Sequence, residues 1–306
     1  HLKPLAMAFG VICSCCGEKR EVEDASAASF FTCVPCEEDP SKAKPDMSVH
    51  TIPVDTSVVM LEAAKAFAGL TPKEQAYAHA LAKADWEGAK ICLIQCSPES
   101  PYIFALLMIV FSAQPVDVLV NSAKAKGLSE EEVAQALIYC AAFFGNMGNY
   151  KSFGDTKFVP ALAADRFYAF LSAGVADATK LSALWHGVVG RLYSLPPRQR
   201  QLGLGAANGI STYFSANCDE ADADVAGRFL TSIGLSPYNT RLFKLSDGTY
   251  TVLLASAEEA SGDEADGALG DVCRAHSFEG RTFNVRRGDY AALMARVVKW
   301  LEAGVP

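Results

Sequence analysis

The chain has 306 residues, enough for one large domain or two ordinary ones, and half of them are hydrophobic, which excludes wholesale disorder. The formal charge is −8 and the Lys and Arg residues are scattered. That pattern argues against a phosphate-binding surface, so DNA and RNA are discounted as partners.

In chain order, Leu5 to Cys13 is an apolar run of signal-peptide length. Only His1 and Lys3 offer charge before it, and it runs into cysteines instead of a small-residue cleavage site, so it is not read as a secretory signal. Five of the ten cysteines fall between residues 13 and 36. Cys13, Cys16, Cys33 and Cys36 give C-x2-C, sixteen residues, C-x2-C, with Gly17 after the second cysteine. Two thiolate pairs at this spacing predict a tetrahedral structural zinc site, and the metal would supply the folding free energy of so small a unit. The alternative is a non-native or disulfide-bonded extension. Four thiolates leave no open position for water, so this zinc would not be a catalyst. Free thiolates also require a reducing compartment, which points to the cytoplasm. The ribbon is acidic, which suits a protein contact better than nucleic acid.

Residues 1–40 are therefore set apart as a zinc-ribbon-like unit or a non-native extension. The charged, proline-bearing "EEDPSKAKPDM" marks a composition break, with a linker at 41–50 and one larger domain over 51–306. From Thr56 to Phe144 the signals are helical. Thr71-Pro72-Lys73-Glu74 and Ser129 to Glu132 are capping boxes, and Gly69 and Gly127 end the helices before them. Val133, Leu137, Cys140, Ala141 and Phe144 predict one apolar face. The apolar run Tyr102 to Phe111 has about half the ~20 residues a spanning helix needs, so it is read as a core helix and no membrane partner is expected.

After the polar, glycine-punctuated stretch "NMGNYKSFGDTKF" (146–158) and residue 200, the texture turns to strands. "NTRLFKLSDGTYTVLLAS" predicts a hairpin through Asp247-Gly248 in a primed turn, which needs positive φ, "TFNVRR" a further strand, and residues 256–270 an exposed acidic loop. Asp289 opens a last helix with Tyr290, Leu293, Val297 and Leu301 on one face. Helices first and strands later predict an α+β fold.

Catalytic signatures are missing. None of the five histidines has another four residues away, which rules out an H-E-x-x-H segment, and there is no G-x-S-x-G elbow. His79 and His186 read as helix-face histidines, Gly203-Leu-Gly205 as a turn, and Cys92, Cys96, Cys140, Cys218 and Cys273 as small buried hydrophobes.

At "NMGNYKSFGDTKFVP" the chain resembles the dipeptidyl peptidase III family of zinc-dependent exopeptidases. "SPESPYIFALL", "LGLG", "ISTYFSANC", "LSPYNTRLFK" and "RGDYAALMARVV" carry the resemblance in the same order, from about Met47 onward. The resemblance implies a two-lobed cytoplasmic enzyme that removes dipeptides from the amino ends of short peptides. Its catalytic zinc sits on an H-E-x-x-G-H segment of an upper lobe. This chain is expected to be an amino-terminal fragment supplying most of the lower lobe, built around β-barrel strands. It would lack the zinc motif, be inactive alone, and have the missing carboxy-terminal lobe as its partner. The resemblance also implies that Ser152 and Phe153 contact bound peptide. By residue type alone, Asn146, Asn149 and Asp155 are read as capping and bracing the loop, and Gly148 and Gly154 as supplying unusual φ. A reading of a different class is a non-catalytic zinc-ribbon adaptor on an α+β scaffold.

Overall fold

The computed structural model describes residues 45–304 apart from 58, 60–61, 176, 197–198, 203–212, 216, 238–239 and 258–271, together with 11–12 and 19–20. Strands β1 (Val11–Ile12) and β2 (Lys19–Arg20) pair antiparallel. Cys13, Cys16, Cys33 and Cys36 lie outside the described residues, as do Gly203-Leu-Gly205 and nearly all of the acidic stretch expected at 256–270.

Helices come first: α1 (Met47–His50), α2 (Ala64–Ala68), α3 (Pro72–Cys96), α4 (Ser100–Ala113), α5 (Val116–Ala125), α6 (Glu130–Asn146), α7 (Ala164–Leu171), α8 (Ala178–Tyr193) and α9 (Glu220–Ser232). Both expected capping boxes form. The Thr71 hydroxyl accepts from the Glu74 amide at the start of α3, and Ser129 accepts from Glu132 at the start of α6. Removing the second cap with Ser129→Ala is expected to cost about 1 kcal/mol, seen as a lower urea midpoint at unchanged m. Gly127 stops α5 in the left-handed region, where it has no Cβ to clash. Gly69 ends α2 in right-handed geometry instead.

Helix α4 is apolar on all sides, as its sequence requires of a helix sunk in a core. Ile103, Leu106, Leu107 and Val110 are fully buried. It stops at Gln114, which is extended because Pro115 excludes the helical conformation of the residue before it. The α6 face is offset from the expected one: Val133, Ala136, Tyr139, Cys140 and Phe143 are buried, whereas Ala141 is exposed. Phe143, Phe158, Phe167, Phe170 and Trp185 complete this helical core.

The strands follow: β3 (Thr240–Lys244), β4 (Tyr250–Ser256), β5 (Ala275–Phe278) and β6 (Arg281–Asp289), in the spatial order β3-β4-β6-β5. The chain is thus α+β, with a four-stranded mixed sheet among the described residues. The β3–β4 hairpin forms where expected, but with different turn chemistry. Only Gly248 has positive φ, and its amide donates to Leu245, so a three-residue turn with a glycine bulge replaces a primed turn. The primed turn occurs at the β5–β6 hairpin, where Glu279 and Gly280 both have positive φ. Strand β5 was not expected, and β6 pairs parallel with β4, with Tyr250 opposite Phe283.

Helix α9 covers the sheet and forms a second core with it. Rings of Phe229, Phe283 and Tyr250 stack in series, 4.1 and 4.8 Å apart. The Asp222 carboxylate of α9 accepts from the Tyr250 hydroxyl at 2.6 Å and from Lys244 Nζ at 2.8 Å. Burial and this carboxylate push the Tyr250 phenol up to about 12. The last helix, α10 (Ala291–Gly304), lies along α3, with Gly304 against Ala80 and Val297 against Gly88. Val297 and Leu293 are half-buried as expected, but Trp300 takes the inward place expected of Leu301, which is exposed. No single helix among the described residues is long and apolar enough to cross a membrane.

Candidate functional site

The glycine-punctuated stretch after α6 folds into a tight hairpin. Met147 closes the helix in the left-handed region, and Gly148 turns the chain with φ 153°. A Cβ on Gly148 would lie 2.4 Å from Cys96 Sγ, so close approach to α3 demands glycine as much as the turn does. Tyr150 then pairs antiparallel with Lys157, and the Lys151 amide donates to Thr156 while the Asp155 amide donates to Lys151. Gly154 and Asp155, both at positive φ, bring the chain back.

Both legs are braced from several sides. On the outgoing leg the Lys157 amide donates to Arg200, and the Leu202 amide donates to Asp155. His50 Nδ1 lies 2.7 Å from the Lys157 carbonyl, and the Tyr150 hydroxyl donates to the Gln199 carbonyl at 2.7 Å. The deepest brace is polar. Glu99, at the start of α4, accepts from Asn149 Nδ2 at 2.9 Å and from Lys157 Nζ at 2.7 Å, and all three residues are buried. Ser97 and Ser100 donate to Asn149 Oδ1, and Lys157 also donates to the Arg191 carbonyl of α8. Burial alone would raise the Glu99 carboxyl. The Lys157 ammonium and the bonds from Lys157 and Asn149 outweigh it and hold the group below the ordinary carboxylate range.

At the tip the two expected contact residues come together. Ser152 is exposed and Phe153 is 95% exposed. An aromatic ring held in water on so well braced a hairpin has no packing role within the described residues. The Ser152 amide donates to Asn146 Oδ1 at 2.7 Å, so this backbone group is used internally. The Gly154 carbonyl likewise accepts from Thr156 Oγ1 and Gln201 Nε2. What the tip offers a ligand is the Ser152 hydroxyl and the Phe153 face. Asn146 and Asn149 brace the loop through their side chains, as expected, whereas Asp155 contributes through its backbone.

The Glu99–Lys157 pair was missed by sequence reasoning. The only signal was a glutamate at the head of an otherwise apolar helix and a lysine preceding "FVP", each of which reads as a surface charge. His79 is exposed on α3, and His186 is exposed on α8 with Nδ1 2.8 Å from the Ser182 carbonyl. Cys140, Cys218 and Cys273 are buried, but Cys92 is exposed and Cys96 only half-buried. Burial pushes the Cys96 thiol up. Among the described residues no group of three or more His, Cys, Asp or Glu side chains could hold a metal ion.

Residues 184–305 match peptidase family M49. The chain is 43% identical over 266 residues to dipeptidyl peptidase 3 of Nematostella vectensis, covering 83% of this chain and 36% of that protein. It is 44% identical over 260 residues to dipeptidyl peptidase 3 of Homo sapiens and 38% identical over 257 residues to that of Dictyostelium discoideum, in each case 35% of the relative. It thus spans about a third of the length of the relatives it matches.

Proposed function

Because the chain belongs to the dipeptidyl peptidase III family, peptidase family M49, we propose that it supplies the substrate-side part of a zinc-dependent enzyme that releases dipeptides from the amino ends of short peptides. The observation that carries this reading is the exposed Phe153 ring on a hairpin with both legs tied into the core. An extended peptide presents unpaired polar groups and apolar side chains. A hydroxyl beside an aromatic face can meet both.

The catalytic zinc is assigned to the part of the family's length that this chain does not match. The described residues do not form a ligand set for it, and their contribution lies in binding. On this proposal the remaining lobe is the chain's partner for chemistry, and the chain alone binds peptide weakly and does not hydrolyse it. Cytoplasmic location belongs to the same proposal and is supported by the free thiols of Cys92, Cys96 and Cys140.

The test is an NMR titration of the chain with tetra-alanine. Phe153→Ala is expected to weaken binding about tenfold, about 1.4 kcal/mol, with the unfolding midpoint unchanged because the ring packs on none of the described residues. Equal affinity in the variant, or shifts confined to residues remote from 150–157, would remove the hairpin from the binding surface.

A further inference from the structure

We infer that Glu99 is the positioning residue of this hairpin: one buried carboxylate oxygen sets where Ser152 and Phe153 stand. The inference rests on the reading that the tip contacts peptide, and it names the group that places the tip. Asn149 begins the incoming leg and Lys157 ends the outgoing one, and both donate to the same atom, Glu99 Oε1. The oxygen belongs to a helix cap and not to a loop, since the Glu99 carbonyl accepts from the Tyr102 and Ile103 amides as α4 begins. Ser97 and Ser100 hold the Asn149 carbonyl oxygen, which turns its NH2 toward Glu99. Lys157 extends the chain of contacts to the Arg191 carbonyl.

An isolated two-stranded hairpin is marginally stable in water, so the legs need an external clamp to present one tip geometry. Presenting a contact group ready-placed lowers the ordering cost of binding. A neutral oxygen at position 99 could still accept from Asn149, but it would leave the Lys157 ammonium buried without countercharge. Only a carboxylate serves both legs. Glu99 touches no substrate in this scheme. It acts through Asn149 and Lys157.

The experiment uses the full chain with Glu99→Gln and, because that variant strands a buried charge, also Glu99→Gln/Lys157→Met. Native-state amide exchange is read at Lys151, Asp155, Lys157 and Phe158 and compared with the amides of α6 and α8, and tetra-alanine affinity is read by NMR titration. In both variants hairpin exchange is expected to rise about tenfold or more while α6 and α8 stay protected, with affinity falling about three- to tenfold. Unchanged hairpin exchange in the double variant, with α6 and α8 intact, overturns the inference. Loosened amides with full affinity also overturn it if Phe153→Ala does weaken binding, because the tip then works without being positioned. If Phe153→Ala has no effect either, the peptide-contact reading has failed and takes the inference with it.

Discussion

Lys157→Ala is expected to destabilise the chain by about 3–5 kcal/mol, because it leaves the buried Glu99 carboxylate without its cation. Lys157 is 0% exposed and Glu99 4%, so water cannot take over as partner. The pH dependence separates this cause from simple loss of packing. In the native chain the Glu99 carboxyl is held below its ordinary value. Its contribution is therefore complete above the unfolded value of about 4.3 and is lost as pH falls through the lower folded value. Without Lys157 the largest of the lowering causes is gone, and burial should move the carboxyl upward. The deficit should then be largest at neutral pH and shrink as Glu99 takes up a proton in acid. Urea midpoints of both proteins from pH 7 to pH 3 check this, and a cost independent of pH would show that the charge is not what matters. Replacing both partners, as in Glu99→Gln/Lys157→Met, should cost much less than Lys157→Ala, since no unpaired charge remains.

Phe283→Ala is expected to cost about 3–5 kcal/mol through the second core. Its ring is fully buried between Phe229 of α9, at 4.1 Å and 16°, and Tyr250 of β4, at 4.8 Å and 13°. Truncation opens a void between helix and sheet that neither neighbour can fill without leaving its own site. Tyr250 is held by Asp222 and Arg281, and Phe229 by the path of α9. Phe283→Leu keeps most of the volume and should cost less than about 1.5 kcal/mol. Thermal unfolding of the two variants tests the ordering. Equal losses would place the stabilisation in something other than filled space.

What the sequence made legible follows the range of the interactions involved. The capping boxes of α3 and α6 were readable because Thr71 with Glu74, and Ser129 with Glu132, lie three residues apart and satisfy each other locally. The β3–β4 hairpin was readable from Asp247-Gly248 for the same reason, although the turn type depended on φ at one residue, which composition does not reveal. Strand β5 was missed because "AHSF" has no alternation and is a strand only by virtue of its pairing with β6. The α10 face was misjudged by one position because its partner is α3, some two hundred residues earlier, and Gly304 and Gly88 let that helix approach along a different line. At the hairpin, Ser152 and Phe153 were named in advance through the resemblance, and it was the anchor that stayed hidden. Glu99 and Lys157 are 58 positions apart, and nothing local distinguishes either from a solvated charge.

The parallel seam between β4 and β6 bears on how this half of the molecule is made. Each hairpin zips from its own turn, but Tyr250 meets Phe283 only after 33 further positions have left the ribosome. Until then β4 offers a bare flank, and the joining of the two hairpins, being the longer-range contact, should be slower than the zipping of either. Because closure entropy grows only with the logarithm of the connecting length, at roughly 0.6 kcal/mol per doubling, additions or deletions between these strands should alter that pace little. A residue that spoils the seam itself would leave a flank open to other nascent chains, so its toll would fall on yield before it fell on the finished protein.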